Sequence, residues 1–207
     1  MKRMLIVRHA ARPDILPNTV GNDVMLTDEG IKQSKLFASL ISGQVLSIST
    51  SPIGRCVQTA ELIAQATHFK LNDIEQCRLL GDPGFIIKDG DLAWQHWLKK
   101  GNEAVNLHLL SGTESWDGFY DLNDSVARIF SDIKALLSNS ADGVHLWVTH
   151  DTILATLAAR IGEKRLTLQD WPNFLGYLEI KLDKSRIQVK YSQNPNFELV
   201  EKSAFQI

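Results

Sequence analysis

The chain begins with a short, uninterrupted apolar run, Met4-Leu5-Ile6-Val7, that ends abruptly on Arg8-His9. A run of this length without polar alternation predicts a strand buried on both faces. Such strands belong to sheets with helices packed over each side. The same run is too short for the core of a signal peptide and is broken by two basic side chains. No later stretch approaches the length of a membrane span. A cytosolic protein without a membrane partner is therefore expected.

The pattern that follows keeps alternating. Thr27 can cap a helix, with Asp28 and Glu29 in its first turn, and Ile31, Phe37, Leu40 and Ile41 recur at roughly helical spacing as far as Gly43. Residues 45–50 predict a second strand. Ser51-Pro52 opens a second helix to about residue 67, since proline is tolerated in a first turn. Residues 74–80 suggest a third short strand. From Gly81 to Asn123 the periodicity weakens, and the segment at about 84–123 is expected to be an irregular insertion. Asp124 opens the clearest helix, striped by Val126, Ile129, Phe130, Ile133, Leu136 and Leu137. Residues 144–148 predict a buried strand, residues 152–160 a helix, and residues 175–182 and 186–191 two closing strands joined by a turn at Asp183-Lys184. Strands alternating with helices imply an α/β three-layer sandwich, with a mainly parallel central sheet and helices on both faces. Residues 1–207 are expected to form one domain.

Charge and cysteine content exclude some classes. The formal net charge is -2, which argues against a nucleic-acid partner, normally met by a basic surface. Cys56 and Cys77 are too few and too far apart for a disulfide framework. Composition says nothing of the oligomeric state.

In open α/β sheets, ligands bind beyond the carboxyl ends of the strands. Arg8 and His9 follow the first predicted strand, Ser51 and Arg55 the second, and His150 and Asp151 the strand at 144–148. This set suits a phosphoryl group. Guanidinium groups offer a permanently charged fork that matches two phosphate oxygens, a task suited to Arg8, Arg12 and Arg55. The start of the helix near Pro52 adds oriented backbone donors. A neutral imidazole at His9 can attack phosphorus, His150 can donate a hydrogen bond to the phosphoryl oxygens, and Asp151 can protonate the leaving oxygen and later take a proton from water. His68, His96, His108 and His145 lack such context and read as surface or core residues. Trp94, Trp97, Trp116, Phe119 and Tyr120 either line a substrate pocket or pack the insertion onto the domain.

Arg8-His9-Ala10 with Arg12, the segment Ser51-Pro52-x-x-Arg55-Cys56-x-x-Thr59-Ala60, and Thr149-His150-Asp151 together resemble the histidine phosphatase superfamily. Leu26-Thr27-x-x-Gly30-x-x-Gln33 is similar to the start of that family's first helix. The resemblance covers residues 5–60 and about 144–162. It implies a phosphoglycerate mutase-like fold, no metal and no cofactor, a covalent phosphohistidine on His9, and phosphate contacts from Arg8, Arg55 and His150. Arg12 and the His150-Asp151 pair resemble the acid-phosphatase branch, in which the aspartate is the proton donor. In the mutase branch the donor is a mid-chain glutamate, for which Glu75 is the nearest candidate and Asp82 a carboxylate substitute. Ala10 stands where the family usually has glycine, and the chain is shorter than typical acid phosphatases, so most of their cap is missing. The expected activity is hydrolysis of phosphomonoesters, or of protein phosphohistidine, so the expected partner is a small phosphorylated substrate or a phosphoprotein. A phosphoglycerate mutase-like phosphotransferase and a non-catalytic phosphate-binding module are the alternatives.

Overall fold

The computed structural model describes residues 1–16, 19–162, 164–184 and 186–195. Its strands are β1 (Lys2–Arg8), β2 (Val45–Thr50), β3 (Glu75–Gln76), β4 (Gly143–Thr149), β5 (Tyr177–Asp183) and β6 (Arg186–Ser192). They form one sheet in the order β3-β2-β4-β1-β5-β6. The β3-β2-β4-β1 portion is parallel, and β5 and β6 run antiparallel at the other side. The helices are α1 (Asp28–Ser39), α2 (Gly54–Ala66), α3 (Gly90–Ser111), α4 (Leu122–Asn139) and α5 (Asp151–Ile161).

The alternation of side chains along β1 builds both cores. Leu5 and Val7 join Val144, Leu146 and Val148 beneath α1 and α2, where Phe37, Ala60 and Ile63 complete the packing. Met4 and Ile6 face the opposite way, toward Leu109 of α3, Val126 and Ile133 of α4, and Ile153 and Leu157 of α5. Both faces of β1 are thus covered, which is why its sequence is uniformly apolar. The sandwich with helices on both faces and a mainly parallel sheet is the observed architecture. Among the described residues, no helix is long and apolar enough to cross a membrane.

Several local expectations are corrected. The stretch expected to be irregular, about 84–123, contains α3, a helix of 22 residues kinked at Gly101, where φ is +79°. The kink breaks the apolar period, so the sequence hides the helix. Helix α4 starts two residues earlier than expected, because Asp121 is its cap and accepts from the Asp124 N–H at 2.8 Å. Helix α2 starts at Gly54, not at Ser51-Pro52, with no side-chain cap at Ile53. Of residues 74–80 only Glu75–Gln76 pair with β2. The strand expected from Leu175 begins at Tyr177, since Leu175 has a φ of +59°.

One contact ties α1 to the rim of the sheet. Thr27 caps α1 by accepting from the Gly30 N–H at 3.0 Å, while its own N–H donates to the Ala11 carbonyl at 3.0 Å. A β-carbon on Gly30 would overlap that Ala11 oxygen, so glycine is needed for the segment after β1 to lie against the helix.

Candidate active site

Strand register sets the site. Arg8 pairs with Thr149 across β1 and β4, and Thr50 pairs with Val148 across β2 and β4. The next residues leave the sheet side by side: the His9 N–H donates to the Thr149 carbonyl and the Ser51 N–H to the Val148 carbonyl, both at 2.9 Å. Three strands remote in sequence therefore deliver His9, Ser51 and His150 to one edge, the location expected for a ligand in a parallel sheet. The His9 and His150 ring centroids are 5.5 Å apart.

His9 is almost fully buried, at 2% exposure. Its Nδ1 lies 2.9 Å from the Ala10 carbonyl oxygen. A carbonyl only accepts, so Nδ1 carries the proton, and in the neutral ring the Nε2 lone pair is free. Burial, then the proximity of His150 and Arg8, pushes the His9 pKa well below 6.5. The ring is therefore neutral at physiological pH, with Nε2 unprotonated. The Arg55 Nε–H donates to that nitrogen at 3.2 Å. Ala10, in place of the family's usual glycine, is fully buried, and its N–H donates to Thr59 Oγ1 at 3.1 Å. That hydroxyl donates in turn to the Arg55 carbonyl, which couples the turn after β1 to α2.

The three arginines differ in how they are held. Arg55, 6% exposed, donates through Nη1 to the Gly21 carbonyl at 2.7 Å and places Nη2 3.4 Å from His150 Nδ1. Arg8, 9% exposed, uses one Nη on the Pro172 carbonyl at 2.6 Å and the other on Asp151 Oδ2 at 3.0 Å, with its guanidinium 4.4 Å above the Phe174 ring. Arg12 donates through Nη1 to the Pro13 carbonyl at 2.7 Å, and the Arg8 charge contributes to lowering its pKa after burial. Among the described residues, Arg8 Nε and Arg12 Nε are buried N–H donors without a partner. Leaving such a donor unsatisfied costs about 1–3 kcal/mol, and native interiors seldom tolerate it. Two such donors on adjacent cations fit an anion.

His150 follows β4 directly and occupies the N-cap of α5. Burial and then the Arg55 charge depress its pKa to about 3, so it too is neutral. Asp151 opens α5. Its Oδ1 accepts from the Thr152 N–H at 2.9 Å, and its Oδ2 accepts from Trp171 Nε1 at 3.4 Å as well as from Arg8. Burial alone would raise its pKa, but Arg8, His150 and these hydrogen bonds hold the carboxyl below its usual range. Asp151 is thus a carboxylate that orients Arg8.

The other carboxylates lie elsewhere. Glu75 is exposed on β3, with its Oε2 3.5 Å from the Ser49 hydroxyl. Asp82 is exposed in the turn after Gly81, a residue that packs on His150. Three of the five aromatic residues singled out in the segment at 84–123 face its own core: Phe119 is buried there, Trp97 and Trp116 pack against it, and Trp116 stacks on His108 at 3.9 Å and on His96 at 4.6 Å, whereas Tyr120 is exposed and Trp94 stacks on Trp97. His108 and His145 are buried core residues and His68 is exposed.

Some neighbours of the site are not evident from the sequence. Trp171, Pro172 and Phe174, from the loop before β5, all contact Arg8, His9 or Asp151. They lie in a stretch without periodicity, and only the antiparallel return of β5 beside β1 brings them to the site. Ser51 is fully buried with its Oγ 2.9 Å from His150 Nε2. The sequence places Ser51 at the end of the second strand, as expected above, and only the contact with His150 is new.

Residues 4–180 match the family model described as histidine phosphatase superfamily (branch 1). The chain belongs to this superfamily. The branch 1 match runs from β1 into β5 and takes in all five helices. Solved structures of similar fold include a phosphoglycerate mutase from Bacillus anthracis (TM-score 0.68, 18% identity, covering 98% of this chain and 96% of that one). They also include a mycobacterial glucosyl-3-phosphoglycerate phosphatase (0.64, 18%, 94% and 99%) and a phosphoserine phosphatase from Entamoeba histolytica in complex with 3-phosphoglyceric acid (0.63, 19%, 95% and 99%). No curated protein matches the chain. Within the superfamily fold, β1 and β4 of this chain lead into His9 and His150, and α2, which follows β2, carries Arg55.

Proposed function

We propose that this member of the histidine phosphatase superfamily hydrolyses small phosphomonoesters through a covalent intermediate on His9. One observation carries the reading: the unprotonated His9 Nε2 accepts from the Arg55 Nε–H, a donor that phosphoryl oxygens can draw away, while the Nε–H donors of the adjacent Arg8 and Arg12 are buried without partners. That combination provides a nucleophile with a cationic cradle for the oxygens around the phosphorus it attacks.

In the first step the His9 Nε2 lone pair forms a bond to phosphorus and the ester P–O bond breaks, with Asp151 protonating the departing alkoxide. The Ala10 carbonyl, accepting from Nδ1–H, steadies the positive charge that the phosphorylated ring acquires. In the second step the Asp151 carboxylate takes a proton from water, whose oxygen bonds to phosphorus as the N–P bond breaks and the electron pair returns to Nε2. Asp151 gains the proton it needs because the substrate supplies anionic oxygens that compete for Arg8, and because a nearby phosphoryl group raises a carboxyl pKa. The two phosphatases and the mutase among the structural relatives act on small phosphorylated molecules by their names, which agrees with this substrate class.

The test is to trap the intermediate. Labelled substrate quenched in base is expected to leave base-stable, acid-labile phosphate on the wild-type chain and none on His9→Ala, whose turnover falls at least about a thousandfold. Turnover by wild-type protein without any trapped label, or by His9→Ala at a comparable rate, would remove the reading.

A further inference from the structure

We propose that Ser51 sets the tautomer of His150, allowing that ring to turn from accepting at Nδ1 to donating from Nδ1 to a phosphoryl oxygen. The inference rests on the phosphatase reading above and makes Ser51 a positioning residue, not a catalytic one.

The geometry presents a conflict that only a hydroxyl resolves. His150 Nδ1 lies 3.4 Å from Arg55 Nη2, which can only donate, so in the unliganded site Nδ1 is the lone-pair nitrogen and Nε2 carries the proton. Nε2 lies 2.9 Å from Ser51 Oγ, which accepts from it. The Ser51 hydroxyl can then donate to the Gly81 carbonyl at 3.4 Å, while also accepting from the Ile53 N–H at 3.3 Å. A phosphoryl oxygen held by Arg55 reverses the demand, because an anion at Nδ1 needs a donor. The neutral ring meets it by releasing the Nε2 proton to solvent and gaining one from solvent at Nδ1, with its charge unchanged. Nε2 then needs a donor, and the Ser51 hydroxyl rotates from Gly81 to supply one.

Ser51 alone among the neighbours of Nε2 serves both states well. Cys56 Sγ is 3.6 Å away, is a weak donor and acceptor, and keeps its proton because burial pushes the thiol up to about 12. The approach of Gly81 is equally specific: it has a φ of +141° and a β-carbon there would overlap the His150 ring. Serine oxygen, glycine carbonyl and imidazole are thus packed into one small relay.

The experiment is 15N NMR of histidine-labelled protein with and without orthovanadate, run beside kinetics of Ser51→Ala and Ser51→Thr. In wild-type protein the His150 Nδ1 resonance is expected to move from the lone-pair to the N–H range on adding vanadate, while Nε2 moves the other way. A ring that keeps its Nε2 proton, or that becomes doubly protonated, overturns the proposal even if the variants fold poorly. Ser51→Ala is expected to lose about tenfold to a hundredfold in kcat with KM changed by less than about threefold, and Ser51→Thr to recover most of it. Ser51→Ala with wild-type kcat, or with an unaltered vanadate-induced exchange, rejects the role of Ser51 while the loss of activity in His9→Ala stands. Activity retained in His9→Ala would reject the phosphatase mechanism, and the vanadate spectra would still decide the tautomer.

Discussion

Arg55 Nε lies 3.2 Å from His9 Nε2, so a permanent cation donates to the lone pair of the unprotonated ring nitrogen. The contact orients the lone pair while keeping a second proton off the ring. Nη2 of the same guanidinium reaches His150, so one side chain registers both imidazoles. Its backbone is fixed by the first turn of α2, which follows β2 by only a few residues.

Arg55→Lys keeps the charge but has one point donor in place of a planar fork. It cannot span His9, His150 and the Gly21 carbonyl together. The expected result is a fall in kcat of about a hundredfold with a folded chain, because removal of a preorganised donor from such a site costs roughly that much. Steady-state kinetics and circular dichroism check it.

Asp151→Asn separates the two roles of this side chain. If the carboxyl protonates the leaving group, alkyl phosphates are expected to slow about a hundredfold, and p-nitrophenyl phosphate, whose leaving group needs little protonation, less than about tenfold. Equal slowing of both substrates would confine Asp151 to orienting Arg8.

Gly81→Ala tests the packing behind His150. The new methyl would overlap the imidazole, and φ of +141° is unfavourable for any residue with a β-carbon. A destabilisation of about 1–3 kcal/mol is expected from the backbone strain, together with reduced kcat as His150 is displaced. Chemical denaturation and kinetics on the same preparation measure both effects.

Stability should depend on pH in a fixed direction. His9, His108 and His150 all have folded-state pKa values below 6.5, about 4 for His108 and about 3 for His150, with burial the largest cause in each. The unfolded chain binds these protons more readily, so their contribution is complete above about pH 6.5 and is lost as the pH falls toward the depressed values. Each such histidine adds a slope of up to about 1.4 kcal/mol per pH unit in that window, less where solvent reaches the ring. Asp151, depressed below 3.8, acts in the same direction at still lower pH. Denaturant midpoints are expected to be level between pH 7 and 8 and to drop between pH 6 and 4.5. A constant midpoint over that range would show that these rings are not held neutral.

The apolar run ending at Arg8-His9, and the like endings at Ser51 and at His150-Asp151, were legible from the sequence because burial on both faces of a parallel strand forces a local pattern that side chains beyond the strand end interrupt. The same local chemistry disclosed the Thr27 cap and the arginines suited to phosphate. Tertiary structure alone decided the rest. The kink at Gly101 removed the period that would have revealed α3. The contacts of Trp171, Pro172 and Phe174 with the site depend on β5 returning antiparallel beside β1. The pairing of Asp151 with Arg8 and the relay through Ser51 each depend on distances between residues remote in the chain, and the tautomer of His9 on how its ring turns toward the neighbouring Ala10 carbonyl. Strand and cap signals act over a few residues, whereas the proton on a buried ring is placed by whichever donor or acceptor the fold brings within about 3 Å of it.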